Sequence, residues 1–195
     1  MPPQLHLALD ADADALLSRD PFALLVGMLL DQQIPMERAF AGPRTLADRL
    51  GSGERLDARE VAAYAPEEFA ALMARPPAVH RFPGSMAGRV QGLARAICEQ
   101  YGGDAQALWA TATSGAELVA RLRALPGFGD QKARIFAALL GKQLGVRPPG
   151  WREAAGAYGE EGSRRSVADV VDGASLAQVR TYKQEMKRAR KTTGG

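Results

Sequence analysis

The sequence predicts an all-α protein. Alanine and leucine dominate, helix starts and stops recur along the chain, and no run of alternating β-branched residues marks a strand. With 195 residues, 46% of them hydrophobic, the chain can build one substantial core or two small lobes sharing a cleft.

The helices read in order. Asp20-Pro21 pairs an N-cap with proline at the first helical position. The helix it opens runs from Phe22 to Gln33, with Phe22, Leu25, Val26, Leu29 and Leu30 on a broad apolar face. Pro35 interrupts it, and a second helix spans Met36 to Leu50, closed by Gly51-Ser52-Gly53. Short helices are expected at Asp57–Tyr64 and Pro66–Ala74, followed by a break at Pro76-Pro77 and a turn at Phe82-Pro83-Gly84. Ser85–Tyr101 forms a long helix with Val90, Leu93, Ala94, Ile97 and Tyr101 inward, stopped by Gly102-Gly103. A short helix at Asp104–Ala110 precedes Ser114-Gly115-Ala116-Glu117, which fits a capping box. The helix begun there ends at Leu125–Gly129, and the next covers Gln131–Leu144 before Gly145. Arg147–Gly150 is a rigid loop and Gly156–Gly162 is glycine-rich. Ser166–Val171 and Ser175–Lys191 read as two last helices, with Thr192–Gly195 frayed.

The net charge of +3 conceals an asymmetry. Residues 1–80 carry 7 Lys/Arg against 12 Asp/Glu, a net of −5, and residues 81–195 carry 18 against 10, a net of +8. The basic half is suited to facing phosphates. Cys98 is the only cysteine, which excludes an intrachain disulfide or a cysteine-held cluster, and it reads as a small buried hydrophobe. His6 and His80 lack a ligand pattern, so no side-chain metal site is expected. Neither a signal peptide nor a membrane-length apolar run is read, and the expected setting is cytoplasmic.

The most informative stretch is Leu125-Pro126-Gly127-Phe128-Gly129-Asp130-Gln131-Lys132-Ala133, a glycine-built hairpin between two helices (residues 115–144). Pro126 pre-sets one backbone angle, while Gly127 and Gly129 permit positive φ and let a phosphate approach without a Cβ in the way. The helix beginning near Asp130 offers unpaired N–H groups. Leu125 and Phe128 anchor the turn in the core. A monovalent cation at the hairpin carbonyls would add charge beside a bound phosphate, and no other cofactor is expected. The alternative is an ordinary αα-hairpin whose glycines merely turn the chain.

With these residues the chain resembles the helix-hairpin-helix base-excision DNA glycosylase superfamily, the group that contains endonuclease III and the alkylated-base glycosylases. Leu29-Leu30-Asp31-Gln32-Gln33 is similar to that family's helix-end motif, and Phe82–Tyr101, with Arg89 and Leu93-Ala94, is similar to its middle helix. The resemblance covers residues 16–150. It implies a two-lobed helical fold, with double-stranded DNA bent in the cleft and a damaged nucleotide swung out for reading. Gln33 would then fill the vacated space in the stack, and Gln32 would contact a base or shape the pocket. Polar residues at a helix end explain these glutamines equally well.

The chain departs from the family at two positions. The position of the family's nucleophilic lysine is matched by Gln131, with Lys132 one residue later. One residue is ~100° of helix, so Lys132 is expected to point elsewhere, and imine-forming strand cleavage is not expected. The family's aspartate is missing from Arg147-Pro148-Pro149-Gly150-Trp151-Arg152-Glu153, and no Asp lies between Asp130 and Asp169. Two acids are candidate substitutes. Glu153 either reaches the pocket or is a first-turn glutamate favoured by the helix dipole. Asp31 either balances an oxocarbenium-like charge or is a solvated helix residue. Trp151 either stacks on a base or anchors the core.

At the C-terminal end, Arg180, Lys183, Lys187 and Lys191 recur at three- and four-residue spacing and can share one helix face. That face is either a phosphate-tracking arm or a solvated terminal helix. The expected organisation is a glycosylase-like core over residues 1–162 with a basic helical segment, 163–195, packed on it. The expected protein is a monomer that binds duplex DNA through Gln32, Gln33, Leu125, Pro126, Gly127, Phe128, Gly129 and Lys132. Asp31 or Glu153 would serve a monofunctional glycosylase, and a catalytically silent damage-sensing module is the alternative.

Overall fold

A computed structural model describes residues 3–193. The chain is all-α, with no strand among the described residues. Its helices are α1 (Ala11–Arg19), α2 (Pro21–Leu30), α3 (Met36–Arg49), α4 (Ala58–Ala63), α5 (Pro66–Ala74), α6 (Pro83–Tyr101), α7 (Ala107–Ala110), α8 (Gly115–Arg123), α9 (Asp130–Gln143), α10 (Trp151–Ala155) and α11 (Gly173–Thr193). Short 3₁₀ turns occupy Gly156–Gly159 and Val167–Asp169. No helix among the described residues is long and apolar enough to cross a membrane.

The core is built around α2, in which every residue from Phe22 to Leu30 is buried. A helix apolar on all sides must be enclosed, and α2 is packed by α1, α3 and α6. α4 and α5 lie against α6, while α8, α9 and α10 form a second packed group. Trp151 is the anchor of that group rather than an exposed stacking platform. It is buried against Gly141 of α9, where an added Cβ would come within 2.3 Å of the indole.

Several boundaries differ from the sequence expectation for identifiable reasons. α1 is an additional helix, capped by the Asp10 carboxylate on the Ala13 N–H. α2 stops at Leu30 instead of Gln33, because Asp31 leaves the helical region and Gln33 takes φ +61°. Phe82-Pro83-Gly84 opens α6 rather than preceding it, with Pro83 in the first turn where its missing N–H costs nothing. Ser114 caps α8 by accepting from the Glu117 N–H, but Glu117 does not complete a capping box. Its carboxylate takes the Thr113 N–H and hydroxyl, which with Arg121 hold it down at about 2. Ser166–Val171 contains only the 3₁₀ turn. Thr192 and Thr193 continue α11, and the rest of the tail expected to fray, Gly194 and Gly195, lies outside the described residues.

Candidate nucleic-acid interface

The turn between α8 and α9 presents backbone. Leu125 and Phe128 are buried, with the Phe128 ring edge-on to Phe136 of α9 at 6.0 Å. These two anchors leave Pro126, Gly127, Gly129, Asp130 and Gln131 exposed. The Phe128 N–H donates to the Leu125 carbonyl and the Ala133 N–H to the Gly129 carbonyl. Among the described residues, the N–H groups of Gly127, Gly129, Asp130, Gln131 and Lys132 have no protein acceptor. Oriented amides at a helix start attract anions. The Asp130 carboxylate opposes that attraction, but Arg134 at 2.8 Å and Arg123 at 3.5 Å carry its charge. The carbonyls of Pro126, Gly127 and Phe128 accept no backbone hydrogen bond among the described residues, so they fit the oxygen-donor chemistry of a monovalent cation.

The two hairpin glycines differ. Gly127 has φ +81°, and an added Cβ would stand 2.3 Å from Leu29 Cδ1, so its missing side chain lets the turn close onto α2. Gly129 has φ −73°, not the positive φ expected, and its Cβ position faces open space. Lys132 adds a second tie to α2. Its Nζ donates to the Met28 carbonyl at 2.8 Å and the Leu29 carbonyl at 3.5 Å. The start of α9 is thereby fixed beside the end of α2.

Asp31, Gln32 and Gln33 follow at that end. Gln32 is engaged at both ends of its amide: Nε2 donates to the Leu29 carbonyl at 2.9 Å, and Oε1 accepts from Arg89 at 3.0 Å. Buried His80 supports the same turn. Its Nδ1 accepts from the Phe82 N–H at 3.0 Å, so Nε2 carries the ring proton and donates to the Gln32 carbonyl at 2.9 Å. Gln33 is left exposed at the tip, in a left-handed conformation uncommon for a residue with a side chain. Phe82 is exposed nearby, its ring 6.2 Å from that of His80.

A groove of about 710 Å³ opens beside the turn. It is lined by Met28 of α2 and Asp31 just beyond its end, by Gln131, Lys132 and Ile135 of α9, by Tyr158, and by Arg165 and residues of α11. Tyr158 is oriented by Gln131, which donates to its hydroxyl at 2.9 Å, and Tyr182 by Arg165 in the same way at 2.9 Å. Burial pushes the Asp31 carboxyl above its ordinary value; the charges of Lys183 and Lys132 oppose that rise and Glu37 reinforces it. Burial likewise pushes the Lys132 ammonium below its ordinary value, against the pull of Asp31.

Of the two candidate acids, only Asp31 lines this groove. Glu153 is exposed on α10 and is not among the lining residues. Lys132, expected to turn away from the position of a catalytic lysine, faces the groove, but its ammonium is held by the α2 carbonyls. Sequence reasoning missed the supporting roles of His80, Tyr158, Tyr182 and Arg165, since only the fold brings them to the groove and its edge. The position of Phe82 after a basic residue and before a helix-opening proline was the one local hint. Among the described residues no three His, Cys, Asp or Glu side chains gather as metal ligands. No protein-family model matches the chain, and no curated protein does.

Proposed function

We propose that this protein binds duplex DNA and acts as a monofunctional glycosylase of the base-excision type. The observation that carries the reading is the exposed turn Gly127–Lys132, with five amides free of protein acceptors, fixed against the α2 end that bears Asp31. The amides and the start of α9 take a backbone phosphate, which sets register without reading sequence. A monovalent cation at the turn's carbonyls would supply added positive charge there. Gln33 and Phe82 press on the base stack, as exposed polar and apolar wedges do when a duplex is kinked. In a two-lobed glycosylase arrangement this groove would be where a displaced nucleotide enters, with Tyr158 and Tyr182 offering ring surface. Ionised Asp31 balances the positive charge that develops on the sugar as the glycosidic bond breaks. An imine-forming step through Lys132 is not part of this reading, because its ammonium is tied to Met28 and Leu29.

The test is base release from a panel of duplexes, each carrying one damaged base. Wild type is expected to release at least one base, Asp31→Asn to lose on the order of 10²-fold or more in rate, and Glu153→Gln to match wild type. One observation favours a second reading, a catalytically silent DNA-binding module: no hydrogen-bond donor holds the Asp31 carboxylate. Duplex binding without release of any base would select that reading.

A further inference from the structure

α11 is packed only near its beginning. Leu176 and Val179 are its buried residues, Tyr182 is half-buried, and every later described residue is exposed. Eleven residues therefore extend past Tyr182, a projection of about 16 Å. A helix that projects beyond its packing needs another reason for its composition. α11 carries six basic residues, Arg180, Lys183, Lys187, Arg188, Arg190 and Lys191, against one acid, Glu185. Arg180 is bound to both oxygens of Glu37 at 2.6 Å, which fastens the helix to α3. Among the described residues the other five have no ion-pair partner. Lys183, Lys187, Arg190 and Lys191 line the groove together with Gln131, Lys132 and Ile135 of α9. They lie in three successive turns, Arg190 and Lys191 together in the last, along about 12 Å of helix. One strand of a duplex carries a charge every ~3.4 Å of axis, so that line spans three to four phosphates. A lipid surface fits poorly, because Met186 is the one large apolar residue on the projecting part.

We propose that the projecting half of α11 is a phosphate-binding wall for the same duplex held by the turn before α9. Lys187, Arg190 and Lys191 each neutralise one backbone phosphate, and Lys183 is the lining residue of this set nearest the packed end of α11. Arg180 is the fastening and contacts no DNA. This assignment rests on the reading under Proposed function and extends it from one phosphate contact to a two-walled grip.

The experiment titrates full-length protein with a labelled 20-base-pair duplex by fluorescence anisotropy between 50 and 200 mM KCl. The triple variant Lys187→Gln/Arg190→Gln/Lys191→Gln should flatten the slope of log K against log salt by about 2.7, at about 0.9 for each phosphate contact. A control with the same charge change, Arg55→Gln/Arg75→Gln/Arg95→Gln, removes exposed arginines that lie off α11 and away from the groove. Its slope should stay close to wild type. An unchanged slope in the first triple, or an equal fall in the control, overturns the α11 assignment. A separate arm, Gly129→Asp, puts a carboxylate on the free amides of the turn. If it binds as tightly as wild type, the hairpin reading itself falls; if it weakens binding while the first triple keeps its slope, only the wall is lost.

Discussion

Gly127 and Gly129 stand two residues apart in one motif, and they fail for different reasons when replaced. Gly127 is held at positive φ and pressed on fully buried Leu29. Alanine there takes on about 1–2 kcal/mol of left-handed backbone strain and must also displace a core side chain. Gly129 has an extended N-cap geometry with room for a side chain. Aspartate there caps α9 and should gain a few tenths of a kcal/mol over glycine, while occupying the amides a phosphate needs. Chemical denaturation should therefore lower the midpoint for Gly127→Ala and leave it unchanged or raised for Gly129→Asp. Duplex affinity should fall by about tenfold or more for Gly129→Asp, the cost of losing a charge-assisted hydrogen bond. A stable Gly127→Ala variant would mean that the turn does not close on α2 as described. The string Leu125–Gly129 made the turn legible in the sequence. The distinct duties of its glycines were not, because one depends on Leu29, nearly a hundred residues earlier in the chain.

At the scale of elements, most helices were legible because their punctuation is local: Pro21, Pro66, Gly102 and Ser114 act within one turn of themselves. What escaped was fixed by distant partners. The segment after α10 is the clearest case. Asp169 accepts from Lys142 at 2.6 Å and also from the Ser163 hydroxyl and the Arg165 and Ser166 N–H groups. Both side chains are shielded, at 15% and 5% exposure, so solvent does little to weaken the pair. Together with Gln143 of α9, which donates to the Ala168 and Val170 carbonyls, this carboxylate fastens residues 163–170 to α9, and α11 packs on the turn they organise. Ser166 and Asp169 alone signal a cap; that a lysine of α9 completes the network is a tertiary fact. Lys142→Met leaves the buried carboxylate without its countercharge and should cost about 3 kcal/mol, read as a lower midpoint in urea. Asp169→Asn, which keeps an acceptor for the backbone, should cost less. Equal stability of Lys142→Met and wild type would show that the Ser163 hydroxyl and the two N–H donors hold Asp169 without the lysine.

The whole molecule brings together charges that the sequence keeps apart. Its acidic first part and basic remainder read as separate regions, yet the fold sets Asp31 and Glu37 of the former against Lys132, Arg180 and Lys183 of the latter. The charge bias was legible; this juxtaposition was not, since α2 and α11 lie at opposite ends of the chain. It also makes global stability a readout of the groove. Burial raises the Asp31 carboxyl above its ordinary 3.8 more than the two lysines lower it. Between 3.8 and that raised value the folded protein therefore holds a proton that the unfolded chain has released. The stabilisation from this group is complete below 3.8 and is lost as pH climbs through the folded-state pKa. Ionisation of Asp31 thus weakens the fold, while the resulting charge serves the reaction proposed for it. Asp31→Asn should melt above wild type at pH 7, and the advantage should shrink to nothing as pH falls below 3.8. Lys132 keeps its carbonyl partners in this variant, so the loss of Asp31 does not strand it. Thermal melts of both proteins from pH 3 to 8 measure the difference. An Asp31→Asn variant that melts below wild type at pH 7 would mean that Lys132 and Lys183 hold the carboxylate favourably, making Asp31 a structural ion-pair partner instead of a strained acid kept for chemistry.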